Sequence, residues 1–416
     1  MHVENTFTAP GYYKHFICKA GGCRHTCCEG LSINITQKEY HRLVGLDCSK
    51  ELREKLDLAL YVLAHPNEYK YACISPTYTG RCRMLDENGL CSLQKECGAD
   101  ILTRVCKYYP RHPVLGAYPE CSMSNSCEVT LELFLRENSD WTLEELPLSF
   151  SLAAVPSVAG SARDQQSGSL KTTDARTETE RRNLRHALTF VMAQTAFPLS
   201  TRLRMIRVAV TKDLIIGECK EKLTERGDSS FDANLSPVHT QALISLLRTV
   251  GEEYSDLTLP ARHAEEYLSR LVMRGRVFDE DALDKATKEL QAHFSKLTAP
   301  VSFHSYISKT IANGMFYHGF PFGNEAPKSP PLSAMSQKEN PSVLRIRLAN
   351  ALTILDYTVF LLTAVLIANR DNLPNADSLV DLTAAFSRMV DLSDFDKRVL
   401  AAHSSHDSDF PEASGL

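Results

Sequence analysis

Twelve of the thirteen cysteines in this 416-residue chain lie between Cys18 and Cys127, and the thirteenth, Cys219, stands alone far downstream. Such a density of sulfur limits what the first 130 residues can become. Thiolates brought together from distant segments bind soft metals tightly, so a closed cluster or a zinc site is the first expectation. The same stretch is punctuated by Gly, Pro and Asn. Its one good helical pattern, Ser49 to Ala64, carries Leu52, Leu56, Leu60 and Leu63 at helical spacing. It reads as a loop-rich unit pinned by something other than its core.

The densest run is Cys18-x4-Cys23-x3-Cys27-Cys28. Cys82-x8-Cys91, Cys106 and Cys127 follow at a distance. The decapeptide Met1 to Pro10 lacks the apolar stretch of a secretory signal, which places the chain in the cytoplasm, where thiols stay reduced and structural disulfides are disfavoured. Zinc sites usually show compact Cys-x2-Cys knuckles, and none occurs here. The cysteines outnumber the ligands of one tetrahedral site. Either two centres exist or several thiols are ordinary buried residues, with Cys48, Cys73, Cys97 and Cys121 the candidates for that ordinary role. Cys27 and Cys28 are neighbours, and in an extended segment their side chains diverge, which argues against both reaching one centre. His15, His25 and His112 lie nearest the cysteines; each is a possible ligand, although loop histidines are the commoner case.

The length exceeds what one core usually serves, so more than one domain is expected. A net charge of -5 without clustered Lys and Arg argues against nucleic acid. Residues 1–130 form the cysteine-rich metal-binding domain, 131–186 a connection with a flexible polar insertion centred on Pro156 to Arg182, and 187–416 a helical domain. The expected class is mainly α. Helical patterns run over Leu184 to Ala196, Ser200 to Leu223, Pro237 to Glu253, Arg262 to Arg274, Asp279 to Leu297, Pro341 to Asn369 and Leu373 to His403. The apolar stretch Leu348 to Ala368 contains Asn350 and Asp356, so it reads as a buried core helix and no membrane partner is expected. Before Pro341 lies Met315 to Lys338, a connection rich in aromatic residues, Gly and Pro that reads equally as a pocket lining or as a packed surface loop.

Four elements occur in order: Phe16-x-Cys18-x4-Cys23-Arg24-x2-Cys27-Cys28-x-Gly30, Cys82-x2-Leu85-x4-Leu90-Cys91, Cys106-x2-Tyr109-Pro110-Arg111, and Ser126-Cys127-Glu128. This combination resembles the flagellin lysine-N-methylase family, whose cysteine layout is shared with YkgJ-type zinc- or iron-chelating proteins. The likeness is sharpest over residues 10–130; in the helical half Asn313 to Phe322 is the most family-like segment. The resemblance implies transfer of a methyl group from S-adenosylmethionine to lysines of flagellin, with a 4Fe-4S cluster, and a ligand pool of Cys18, Cys23, Cys27, Cys28, Cys82, Cys91, Cys106 and Cys127. One departure is Leu31, where the family often has Trp. The alternatives are a metal-binding scaffold for zinc or iron and a redox protein without methyl transfer.

Methylation needs a neutral amine, whereas a free lysine has a pKa of about 10.4 and is charged at neutral pH. An aromatic pocket or a phenolate would help to deprotonate it. Tyr108 and Tyr109 are the weak catalytic candidates, although Tyr108 to Arg111 equally reads as a helix end broken by Pro110. The sequence has neither the glycine-rich turn nor the alternating strands of a Rossmann-like methyltransferase. It also lacks a complete Cys-x3-Cys-x2-Cys signature, since Cys23-x3-Cys27 is followed by Gly30.

Overall fold

A computed structural model describes residues 2–29, 33–68, 70–115, 118–136, 140–151, 174–211, 239–323, 341–392 and 394–407. Gly30 and Leu31, Cys219, most of the polar insertion, the distal part of the pattern Ser200 to Leu223 and the connection beyond Gly323 lie outside them.

Residues 2–151 contain strands that the loop-rich reading did not foresee. β1 (His2–Pro10) pairs over its whole length with β7 (Leu143–Ser151), antiparallel, and touches β6 (Glu120–Met123) in parallel at Thr8↔Glu120. β5 (Arg111–Val114) completes the order β5-β6-β1-β7. β1 is therefore an interior strand, and its end from Phe7 to Pro10 is buried without alternation, as two covered faces require. The second sheet is small: β2 (Ile33–Ile35), β4 (Ala72–Ile74) and β3 (Leu60–Val62), in the order β2-β4-β3.

Around that small sheet lie α1 (Gln37–Val44), α2 (Lys50–Ala59), α3 (Ser92–Cys97) and α4 (Arg104–Tyr108). α1 opens on a capping box, with Thr36 accepting from the Glu39 amide and Glu39 reaching back to Thr36. α2 is capped by Ser49 and buries Leu52 and Leu56, yet it stops at Ala59: Leu60 to Val62 turn into β3, where pairing with β4 overrides the helical spacing expected to reach Ala64.

α5 (Glu128–Arg136) leads into the helical half: α6 (Asp174–Ala193), α7 (Leu199–Thr211), α8 (Thr240–Glu253), α9 (Ser255–Met273), α10 (Glu280–Phe294), α11 (Phe303–Tyr317), α12 (Pro341–Ala368), α13 (Ala376–Leu392) and α14 (Phe395–Asp407). The chain is mainly helical, as its sequence implies. α12 is long and apolar enough to cross a membrane, but most of it is buried among the other helices, the environment expected for a core helix. α11 was not anticipated. Lys309, Asn313 and Gly314 interrupt its apolar pattern, yet Lys309 and Asn313 are themselves buried.

Two hydrophobic cores result. The larger runs from Phe7 and Met123 in the four-stranded sheet, through α5, to Val399 in α14, and the expected boundary near residue 130 falls inside α5. The smaller gathers Ile33, Leu43, Leu52, Leu56, Ile74, Met84 and Leu93, with Cys48, Cys82, Cys91 and Cys97 packed against it.

Candidate metal centre and adjoining pocket

Four segments, carrying Cys18 to Cys28, Cys82 to Cys91, Cys106 and Cys127, bring the eight motif cysteines near enough to act on one another. The first, residues 18–28, lies against α5 because two carboxylates buried there need partners. Glu128, 2 % exposed, takes Lys19 Nζ at 3.0 Å and the backbone amides of Arg24 and His25 at 3.0 and 3.2 Å. Glu132 takes Lys19 Nζ at 2.6 Å and Arg24 Nη1 at 3.0 Å. Arg24 also donates from Nε to Asp381 of α13 at 2.8 Å, so the segment bridges two helices. At its other end the Cys82 amide donates to the Cys28 carbonyl at 2.7 Å, and Leu85 forms a β-bridge with Cys91. The close approach is made possible by Gly21: a Cβ there would sit 2.6 Å from the Asn88 carbonyl, in the turn between Cys82 and Cys91.

The thiols fall into two neighbourhoods joined by Cys27 and Cys28. Burial raises the Cys23 thiol to about 12, helped by Glu128 and by the nearby Cys127 and Cys18 sulfurs. Burial likewise raises Cys106 to about 12, and Cys28, Cys82 and Cys91 add to the effect. Cys82 is pushed to about 11 by burial with Cys28 and Cys91 beside it, partly offset by the Met84 and Leu85 amides. Cys27 is raised and Cys28 lowered to about 7, mainly because the two side chains share a hydrogen bond, and Cys27 also senses Cys127 and Cys106. This corrects the expectation that neighbours diverge: residues 27 and 28 form a turn, not an extended segment.

Cys91 immediately precedes α3, and Cys127 gives its carbonyl to the first turn of α5. Each is raised by burial and partly relieved by amides of the adjoining first turn, the position where a helix best supports a thiolate. Cys18, Cys27 and Cys106 are exposed as residues, although protein surrounds the Cys27 and Cys106 sulfurs closely enough to desolvate them. All twelve described cysteines are free thiols, and among the described residues no three Cys, His, Asp or Glu side chains converge on a single point. Cys48 and Cys97 lie near each other against the small core, Cys73 is on β4, and Cys121 is buried on β6 beside Tyr13. His15 and His25 are exposed, the latter 3.7 Å from Asp381, and His112 is buried against Tyr317.

The two tyrosine candidates part company. Tyr108 is a core residue edge-on to Phe150. Tyr109 lies among the thiols; burial beside the Cys127 and Cys27 sulfurs raises its hydroxyl, which lies 3.2 Å from Ser126 Oγ. Ser124 and Asn125, in the turn leading to Cys127, reach the other way. Ser124 Oγ donates to Asp391 at 2.5 Å, and the Asn125 amide donates to the Thr310 carbonyl at 2.8 Å.

Beyond that turn opens a pocket of about 960 Å³, its solvent-facing mouth included, between α11, residues 318–323, α12, α13 and the start of α14. Its walls are apolar, with Ile311, Met315, Ile354, Leu362 and Phe386 among them. At its polar side His318 Nε2 stands 3.1 Å from Asp391 Oδ1. Desolvation opposes charge on this imidazole, but it keeps 47 % of its side-chain surface exposed, and the Asp391 hydrogen bond and charge outweigh burial to raise its pKa. The segment Asn313 to Phe322 thus supplies the end of α11 and one wall. Reading it wholly as a loop hid the buried Asn313, which accepts from Tyr12 and donates to the Met123 carbonyl at 2.7 Å.

Comparison with known proteins gives three informative likenesses. The lysine-N-methylase of Salmonella choleraesuis strain SC-B67 is 30 % identical over 146 residues, 34 % of this chain and 35 % of that protein, and the lysine-N-methylase of Salmonella typhimurium strain LT2 matches to the same extent. The chain therefore spans about a third of the length of these methylases. No family model and no solved structure matches. The flagellar biosynthetic protein FliU of Salmonella muenchen is 33 % identical over 132 residues, 30 % of this chain and 76 % of that protein. With that share of FliU covered, and with the methylases aligned at similar identity, the chain belongs to the family of the lysine-N-methylases and FliU.

Proposed function

We propose that the chain is a protein-lysine N-methyltransferase that acts on flagellin, with S-adenosylmethionine as methyl donor and a 4Fe-4S cluster held by thiolates of the motif cysteines. The observation that carries the reading is the likeness to two proteins named lysine-N-methylase. The flagellar name of FliU supports flagellin as the substrate.

The chemistry of the donor set suits the cluster. Eight free thiols from four segments of the chain lie near enough to act on one another, and each sulfur that desolvation and its neighbours push toward the neutral thiol is a sulfur that a cation would hold as thiolate. The cluster would be held by members of the set Cys18, Cys23, Cys27, Cys28, Cys82, Cys91, Cys106 and Cys127, and when bound it supplies positive charge and redox-active iron. The chain's own contribution is positional. Glu128 and Glu132 fix the segment 18–28 on α5, and the turn from Ser124 to Cys127 joins Cys127 to the edge of the pocket.

Anaerobic reconstitution, metal analysis and mass spectrometry of flagellin incubated with S-adenosylmethionine test the reading. Iron with inorganic sulfide and flagellin lysines heavier by methyl groups are expected. Unmodified flagellin in the presence of a full iron complement rejects the methyltransferase. A colourless zinc protein rejects the cluster and favours a structural metal that staples the small core.

A further inference from the structure

We propose that the pocket between α11, α12 and α13 is the slot for the acceptor lysine side chain, with Asp391 receiving the ε-ammonium and His318 taking its proton. The inference rests on the methyltransferase reading and locates its acceptor site away from the thiols.

Charge decides the class of occupant. Among the described residues the walls carry His318, Asp391 and Asp396 as charged groups, the neutral hydroxyl of Tyr317 and no Lys or Arg, so this lining attracts a cation. Among the described residues the charged groups acting on His318 are the carboxylates Asp391 on α13 and Asp396 on α14, with the imidazole of His112 on β5 beside them. The sulfonium donor is also cationic, but it carries an amino-acid carboxylate that would meet these aspartates with no basic side chain on the walls to pair it. A lysine within a peptide brings four methylenes and a single positive end. The methylenes match Ile311, Ile354, Leu362 and Phe386, and the ammonium matches Asp391.

The geometry also supplies an acceptor. With Nε2–H donated to Asp391, the imidazole lone pair resides on Nδ1. Asp391 is itself held by the Ser124 hydroxyl, which fixes the dyad against the turn that ends at Cys127. In the step, an ammonium N–H bond breaks and its proton passes to His318. The freed nitrogen pair forms the N–C bond to the methyl of a sulfonium donor, and the C–S bond breaks with its electrons going to sulfur.

The test uses the full chain and two small probes, Nα-acetyl-lysine methylamide and its norleucine counterpart, titrated by NMR or calorimetry. Wild type is expected to bind the lysine probe and to ignore norleucine. Asp391→Asn should weaken lysine binding at least tenfold, and Ala351→Trp, which fills the mouth of the pocket, should abolish it. Both variants should keep their circular dichroism and bind S-adenosylhomocysteine within about twofold of wild type. Lysine binding unchanged in both variants overturns the slot. So does loss of S-adenosylhomocysteine binding with lysine binding intact, since the donor would then own the pocket. His318→Gln should retain probe binding while slowing methyl transfer and flattening its pH profile; an unchanged profile removes His318 as proton acceptor. Probe binding without any methylation of flagellin by wild type sinks the functional reading and leaves the slot standing.

Discussion

The small lobe built on β2, β4 and β3 and the helical body solve the same problem with unequal means. The body closes one core that runs from the four-stranded sheet to α14, with Phe278, Leu290, Phe294, Phe303 and Phe360 almost wholly buried. The lobe encloses a handful of aliphatic side chains between three-residue strands and helices of five to ten residues. It also leaves Val44, Leu58, Tyr61 and Val62 largely exposed. A unit this small buries too little apolar surface to offset the entropy of ordering its chain, and such units ordinarily lean on disulfides or metals. Its thiols are free. The lesson is that the body closes a core of its own, whereas the lobe pairs a small core with a concentration of free thiols, the means by which a bound metal would order it.

The sharpest way to break that contrast is to strip whatever metal the proposed cluster site holds. Structural zinc in small domains contributes on the order of 10 kcal/mol to folding, and a thiolate-bound cluster acts by the same linkage. Chelation, or the double replacement of Cys82 and Cys91 by Ser, should therefore abolish hydrogen-exchange protection over Ile33 to Leu102 while amides in α10 and α12 keep theirs. A lobe that stays equally protected without metal would show that its small core suffices.

The same contrast governs what could be read in advance. The body's helices were legible because long amphipathic patterns report burial directly: α10 and α12 lie within a few residues of the expected Asp279 to Leu297 and Pro341 to Asn369. α13 and α14 had merged into a single expectation from Leu373 to His403, because the break near Asp394 carries neither Gly nor Pro. In the lobe, Leu60 and Leu63 continue a helical spacing, yet β4 claims Leu60 to Val62 as a partner. Long-range pairing leaves no local mark. The spacing of Cys27 and Cys28 said nothing of the turn that turns their sulfurs toward each other, and Gly21 shows its necessity only once Asn88 is beside it. His318 and Asp391 lie more than seventy residues apart in sequence, so only folding discloses the dyad. The aromatic stretch from Met315 hinted at the pocket, but not at the carboxylate across it.

A second measurement sharpens the contrast from the side of the body. His112 is buried between β5 and α11, its ring 5.1 Å from Tyr317 and its Nδ1 without a hydrogen-bond partner, and desolvation lowers its pKa to about 4. Its folded pKa lies below the unfolded value of about 6.5, so the unfolded chain binds the extra proton between those limits. The resulting stability is complete above pH ~6.5 and is lost as pH falls toward ~4, a loss of about 3 kcal/mol from this group. Urea unfolding followed by exchange in α11 should show that loss in wild type. His112→Phe keeps a ring against Tyr317 and removes the titration, so its acid sensitivity should be smaller by the same amount. Equal acid sensitivity in the two proteins would place the acid-labile group elsewhere.

The smallest effect is expected where lobe and body meet. Arg24 touches Glu132 and Asp381 at once, yet Arg24→Gln should lower global stability by less than about 1 kcal/mol. Each partner keeps company after the change. Glu132 retains Lys19 and Arg136, Glu128 retains Lys19 and the backbone amides of residues 24 and 25, and Asp381 is open enough to be rehydrated by water. What the guanidinium adds is a tether from the cysteine segment to α13, and its removal should appear as faster loss of bound iron to a chelator at unchanged thermal midpoint. A large drop in that midpoint would mean that the segment from Cys18 to Cys28 belongs energetically to the body, and that the division between a metal-ordered lobe and a self-sufficient core is drawn in the wrong place.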